Sequence, residues 1–446
     1  MLSSENHQLQ RKLGLLALLS MVVANMIGAG IFTTSGLIMA QLRNPFLLLL
    51  LWAFGGFIAF CGALVYSELG AAMPEAGGEY VFLSRLYHPL LGFLSGWISF
   101  VVGFSAPIAA SAIGFSEYII QGVPSDWVME YHLSNLFAIR VLAVLVIALF
   151  TVIHVRGIET SARWQNILTV LKVVLITGLI ISGFIWGKGS WEHFVSEAYT
   201  IKGPGWRSIG LSLIWVMFAY SGWNAATYLG GEAVCPQKNI PRSLLFGTLV
   251  VISLYLALNF LFIYAIPPEK FQGEITVGAT AVVHLFGENA KYILSFLIAF
   301  ALLSSISAFI VLGPRVYYAM AKDGFFFRFA AKVSSRYRIP VRSIILQSSV
   351  SALMVMTGTF DQILTFMGFA LGIFPIIAVL GVFRLRKLKR TTYRHPGYPY
   401  VPVIYVVTAV TMLVLTAIER PAESLIAIAV ILVGIPAFLL FKNSNA

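Results

Sequence analysis

The chain has little charge and almost no cysteine. Only 11% of its 446 residues are charged while 59% are hydrophobic, so most of the surface of any fold it adopts must face something other than water. Its two cysteines, Cys61 and Cys235, lie in or beside separate apolar stretches, which excludes a disulfide framework and a C-x-x-C metal or redox site. The apolar runs hold no H-E-x-x-H, no paired carboxylates and no nucleophile beside a base, so a membrane-embedded enzyme lacks its chemistry. Neither a metal nor a cofactor is expected. No segment between the runs is long enough to form a domain of its own. The net charge of +12 therefore has no soluble basic face to occupy, and nucleic acid is excluded as a partner.

What the chain does have is a series of apolar runs near the ~20 residues that a bilayer core requires. Hydropathy and turn signals place spans near 14–40, 46–67, 89–120, 136–154, 163–186, 207–233, 241–266, 290–320, 342–358, 362–383, 400–418 and 423–441. This is an all-α polytopic membrane protein in which residues 1–446 form a single transmembrane domain surrounded by lipid. The first run follows Arg11 and Lys12 without an A-x-A-like cleavage site, so it reads as an uncleaved span. With the N-terminus inside, most of the 30 Lys and Arg fall on the cytoplasmic side, above all in the loop from Arg315 to Arg342 and in "RLRKLKRTTYR". That bias predicts both termini in the cytoplasm, with the basic loops serving as topology signals and headgroup contacts.

Two spans are interrupted. "MVVANMIGAGIFTTSGLIMA", Met21 to Ala40, carries Gly28 and Gly30 around Ala29 at its centre, and each glycine costs about 1 kcal/mol against alanine in a helix interior. "MFAYSGWNAATYLGGEAVCPQKNIPRS", starting at Met217, has Ser221 and Gly222 in the middle of span six. Close helix packing, as in Ala24-x-x-x-Gly28, explains most membrane glycines. It does not explain why spans one and six break at corresponding places in two five-span halves, which points to a transporter with a midplane site. Neither a channel nor a receptor predicts such a pairing. A break strands backbone amides and carbonyls, a state tolerated only where a ligand, water or other protein groups satisfy them. An amino acid suits both polarities, its carboxylate at a half-helix N-terminus and its ammonium at a C-terminal end.

"IGAGIF", "MPEAGGEYVFL", "GPRVYYAMAKDGFF" and the span-six motif together resemble the amino acid, polyamine and organocation transporter superfamily, most of all its L-amino acid transporter branch. The resemblance covers nearly the whole chain. It implies the leucine-transporter fold: twelve transmembrane helices, with two inverted five-helix repeats at about 14–186 and 207–383 and two further helices at about 400–441. It also implies that the amides of Gly28, Ala29 and Gly30 hold a substrate carboxylate, Ala29 lacking the hydroxyl often found there. The ammonium would meet carbonyls of Met26 or Ile27 and of Phe218 and Ser221, within a segment that includes Ala219 and Gly222. Phe218 would close over the substrate from outside, with Trp223 and Asn224 as gating or supporting residues.

Span ten, "ILTFMGFALGIF", is almost wholly apolar. Span three offers Ser105, Ser111 and Ser116 but only Glu117 near its outer end, so neutral substrates are favoured over basic ones. "MPEAGGEYVFL" reads locally as a turn at Gly77-Gly78. Animal members of the branch that it resembles often pair with a single-pass glycoprotein through a cysteine in the external loop between helices three and four. "EYIIQGVPSDWVMEYHLSN" has none, so no disulfide-linked heavy subunit is expected and the chain reads as a stand-alone, prokaryotic carrier of the cell inner membrane. Lys172 is the one basic residue inside a span, roughly 13 Å from Arg163 along the helix. That is deeper than snorkelling explains. "NILTVLK" resembles members whose lysine fills the space of a sodium ion against the end of the first half of helix one. Sodium-independent exchange is the expected activity, and proton-coupled uptake is the alternative.

Overall fold

The computed structural model describes residues 9–28, 30–122, 136–195, 205–274, 276–357, 360–389, 393–419 and 421–444. Among these the only extended pairings are two single bridges, Leu13 with Ala233 and Ala76 with Leu229. Everything else of regular structure is helical. In chain order we number α1 Leu15–Met26, α2 Gly30–Leu42, α3 Pro45–Ala72, α4 Glu79–Leu86, α5 Pro89–Ile98, α6 Ser105–Gln121, α7 Leu136–His154, α8 Ile158–Trp186 and α9 Trp206–Ala219. There follow α10 Pro236–Ala265, α11 Val277–Phe286, α12 Ala290–Lys322, α13 Val341–Thr357, α14 Phe360–Lys387, α15 Tyr400–Glu419 and α16 Pro421–Ser444. Nine helical segments among the described residues are long and apolar enough to cross a membrane, with α1–α2 and α5–α6 each counted as one. The chain is a multi-pass membrane protein.

Helix starts follow local chemistry. Asn44 precedes Pro45 and its side chain accepts from the amides of Phe46 and Leu47, while His88 precedes Pro89 and accepts from Leu90. Proline suits the first helical position because its missing N–H would have had no partner there. Span three is continuous through a π-helical stretch, Ser99–Phe104, where the Ser105 hydroxyl donates to the Phe100 carbonyl.

Span six differs from its expected range of 207–233. The α-helix stops at Ala219, and the chain continues through turns and two short 3-10 stretches, Ala225–Tyr228 and Gly230–Glu232. Gly222 at φ +93° cannot continue a right-handed helix, and a side chain there would run into Asn25. The short α4 and α11 were not anticipated either, since each is too brief to register as a span.

The packing runs opposite to that of a soluble domain. Helix α3 packs against α10, α6 against α12, and α1 against α8, α10 and α12, and these helices carry most of the buried side chains. Outward-facing Leu145 and Leu149 on α7, Val410 and Val414 on α15 and Leu432 and Leu440 on α16 are more than 40% exposed, an apolar belt suited to lipid.

Buried charge gathers at the end where α1 begins. Arg315 on α12 donates from Nε and Nη2 to the two carboxylate oxygens of Glu232 at 2.8 and 2.9 Å, and from Nη1 to the Val311 carbonyl. Arg386 forks onto Glu68 at 2.8 and 2.6 Å, and Arg85 bridges Glu75 and Asp323. The Glu232 carbonyl accepts from the amides of Lys12 and Leu13, so the Glu232–Arg315 pair anchors the lead-in to α1. Both side chains are at most 2% exposed, and removing one partner leaves a buried charge uncompensated. Arg315→Ala should therefore cost about 3–5 kcal/mol, read as a large drop in melting temperature in detergent, with the Glu232→Gln/Arg315→Met double variant recovering much of it.

Candidate functional site

The two breaks meet. Helix α1 ends at Met26 and α2 starts at Gly30, which leaves the carbonyl end of one half-helix and the amide end of the other facing the gap. A Cβ on Gly30 would come within 3.1 Å of the Ala219 Cα and 3.5 Å of the Phe218 ring. Glycine lets α2 begin this close to the end of α9 without pressing on the Ala219 backbone. Ala29 lies outside the described residues. Gly28 is half-buried, and nothing lies within 4 Å of where its side chain would stand.

The carbonyls around the gap are largely taken by groups from the surrounding helices. Lys172 of α8 is 1% exposed, and its Nζ donates to the Ile27 carbonyl at 2.7 Å, to the Ala24 carbonyl at 3.4 Å and to Ser305 Oγ at 3.1 Å. The Ser305 hydroxyl faces the same two carbonyls, at 2.9 Å from Ile27 and 3.2 Å from Ala24. Tyr255 of α10 lies with its hydroxyl 2.8 Å from the Met26 carbonyl and 3.1 Å from that of Ala219. Asn25 Nδ2 donates to the Gly222 carbonyl at 3.1 Å, and the Phe218 carbonyl accepts from the Ser221 amide. The C-terminal end of a helix favours a cation, and here the Nζ of Lys172 stands against it.

Of the expected ammonium ligands, Ile27 is thus occupied by Lys172 and Ser305. Met26 and Ala219 share the single hydroxyl hydrogen of Tyr255, the Phe218 carbonyl accepts the Ser221 amide, and each keeps a further lone pair. Asn25 Oδ1 is buried without a partner in the wall of a cavity of 230 Å³ that also takes in Phe218, Ser221 and Gly222. Phe104 of the π-helical stretch, Pro107 of α6, Phe309 of α12 and Pro375 of α14 complete the wall near this point. The span-ten side chains 360–371, like residues 123–135 of the loop between α6 and α7, lie outside the described residues.

Trp223 is packed rather than free to swing. Its ring meets Tyr66 edge-on at 4.7 Å and Tyr405 at 5.8 Å, and a side chain on Gly62 would collide with it. Asn224 donates to Glu79 at 2.6 Å and to the Tyr228 hydroxyl at 3.1 Å. The Gly77-Gly78 turn, with φ of +118° and +54°, docks on the chain beyond the break: the Gly77 amide donates to the Tyr228 carbonyl, and a Cβ on Gly78 would strike the Tyr228 ring.

Four participants escaped the sequence reading. Asn25 was detectable as a polar residue just before the break in an otherwise apolar run. Tyr255 and Ser305 carry no comparable signal, because a lone hydroxyl in an apolar helix usually serves packing or back-bonds to its own helix. Glu79 sits in a loop motif, yet the fold carries it into the cavity wall, so the absence of carboxylates within the spans does not make the cavity free of them.

With that geometry in hand, the comparison with known proteins is direct. Residues 13–436 match the profile of the amino acid permeases. The chain belongs to the amino acid permease family, in the amino acid, polyamine and organocation superfamily. It is 26% identical to the serine/threonine exchanger SteT of Bacillus subtilis over 99% of both chains. It is also 26% identical to the large neutral amino acids transporter small subunit 2 of Homo sapiens, over 97% of this chain and 80% of that one. The Asc-type amino acid transporter 1 of Mus musculus is similar at 26%, over 98% and 82%. Membership makes the permease a carrier rather than an enzyme. Its two cysteines are both free, so the chain forms no internal disulfide.

Gly30→Val tests the close approach of the two breaks. The added methyls would enter the Ala219–Phe218 contact, which packed surroundings relieve only by moving backbone. Transport should fall at least tenfold while the protein still inserts and elutes as a single species in size-exclusion chromatography.

Proposed function

We propose that the permease is a sodium-independent exchanger of neutral L-amino acids that works by alternating access, in the leucine-transporter fold with twelve spans and two inverted repeats. The carrying observation is the Lys172 Nζ among the Ala24 and Ile27 carbonyls and Ser305 Oγ. A bound sodium ion would need those same oxygens. A protein whose own amine already fills that position has no use for an external cation. Family membership supports amino acids as the cargo, and the name of its relative from Bacillus subtilis supports exchange.

In this reading the amides of Gly28, Ala29 and Gly30 receive the substrate carboxylate at the positive end of α2. The ammonium takes the spare lone pairs of Met26, Phe218 and Ala219, the Ser221 carbonyl and the unpartnered Oδ1 of Asn25. Phe218, half-buried beside Gly30, covers the bound molecule, while Trp223 and Asn224 hold the turn that follows Gly222. The basic end of the molecule, with both termini, faces the cytoplasm of a cell bounded by this plasma membrane. Without a cysteine in the external loop, the carrier acts with no disulfide-linked heavy subunit.

Counterflow into proteoliposomes tests the assignment. Labelled L-serine or L-leucine should accumulate against unlabelled internal amino acid, without sodium and without any second chain. Accumulation that requires a sodium gradient would overturn the reading, and uptake driven by a proton gradient into empty vesicles would replace exchange by symport. N-acetylated and esterified analogues should fail to compete, since the site recognises both charged ends. Lys172→Ala should insert normally but transport about ten- to a hundredfold more slowly, the range expected from losing hydrogen bonds to a charged group.

A further inference from the structure

The cavity that takes in Phe218, Ser221 and Gly222 has one charged side chain in its wall among the described residues, Glu79 at the start of α4. Its carboxylate accepts from the Tyr66 hydroxyl of α3 at 2.9 Å and from Asn224 Nδ2 at 2.6 Å, and the Tyr228 hydroxyl is a third donor. The groups that face it are all neutral: Tyr66 from α3, Asn224 and Tyr228 from the turn after α9, and Tyr405 from α15, with Tyr317 of α12 behind Tyr228. On its own helix, Tyr80 and Arg85 turn away to Asp323. No ion pair to Glu79 is found among the described residues.

A carboxylate buried without a cation favours its protonated form. Burial pushes the Glu79 carboxyl up to about 7, against the three hydrogen bonds that favour the ionised form. The proton would alter the bonding directly. An ionised carboxylate only accepts, which suits three donors, whereas a protonated one must itself donate and has less to offer Asn224. Asn224 lies two residues beyond Gly222, whose φ of +93° marks the pivot of the turn.

We propose that Glu79 is a proton-operated latch on the broken helix: ionised, it pins the Gly222–Asn224 turn to α3, and protonated, it releases that turn and frees the cavity wall to move. Glu79 is a positioning residue in this scheme, acting through Asn224 and Tyr66. The effect on flux rests on the transport reading given above, but the titration of the carboxyl does not.

Both parts are measured on the full-length protein in liposomes. Infrared difference spectra should show the C=O stretch of a protonated carboxyl growing as pH falls through about 7, lost in Glu79→Gln and restored in Glu79→Asp. Counterflow of labelled L-serine, with equal pH on both sides, should rise roughly tenfold from about pH 8.5 to about pH 5.5. Glu79→Gln should run at the acid rate at every pH. Tyr66→Phe removes one donor to the ionised form and should shift the midpoint to higher pH. A carboxyl band that persists in Glu79→Gln, or a wild-type pH profile in that variant, would overturn the latch. Should Glu79→Gln fail to insert, an unmoved midpoint in Tyr66→Phe would overturn it equally. If no amino acid is exchanged at all, the transport reading falls while the infrared titration still decides the latch.

Discussion

A peptide group left unpaired in a low-dielectric interior is expensive, and most of this architecture answers that constraint. Opening a helix between Met26 and Gly30, and ending another at Ala219, strands backbone groups where neither lipid nor bulk water can serve them. The surrounding helices return partners: Lys172 from α8, Ser305 from α12, Tyr255 from α10 and Asn25 from α1 itself. Three long helices are thereby fixed in register against the gap. Their packing positions the donors, and the donors make the gap possible.

The opposite strategy operates at the end where α1 begins. There the chain leaves its helices altogether, and charge does the joining. Glu232–Arg315, Glu68–Arg386 and Arg85 with Glu75 and Asp323 tie loops to helix ends. Two single backbone bridges stitch the lead-in to α1 and the Gly77-Gly78 turn onto the chain following α9. The two buried pairs, Glu232–Arg315 and Glu68–Arg386, add little net stability compared with apolar packing, but they penalise every arrangement that separates them. They hold the loops of one end together, and Glu79 lies beside them.

How much of this was legible in the sequence depended on the range of the interaction. Hydrophobic run length alone located nearly every helix, because membrane helices satisfy their own backbone locally. The breaks at Gly28–Gly30 and Ser221–Gly222 were legible because glycine and serine stand out in apolar runs. Lys172 was legible because a charge in a span demands a reason. The second half of span six was misjudged: its composition is apolar enough for a helix, and only contacts with residues 74–78 and with Arg315 reveal why it is folded as turns. Glu79, Tyr255 and Ser305 gain their significance from neighbours far away in sequence, which no local pattern encodes.

The cage around Lys172 has a consequence for how substitutions register. The three bonds that hold it go to two peptide carbonyls and one hydroxyl, so side-chain changes at Ala24 or Ile27 leave those carbonyl ligands chemically intact. A mutational scan of α1 would report packing tolerance at those positions and remain silent about the amine they hold. Only Lys172 and Ser305 would register. A site built from backbone is therefore hidden from substitution data on one side, and variation accumulated along α1 would be a poor guide to where that helix does its chemistry.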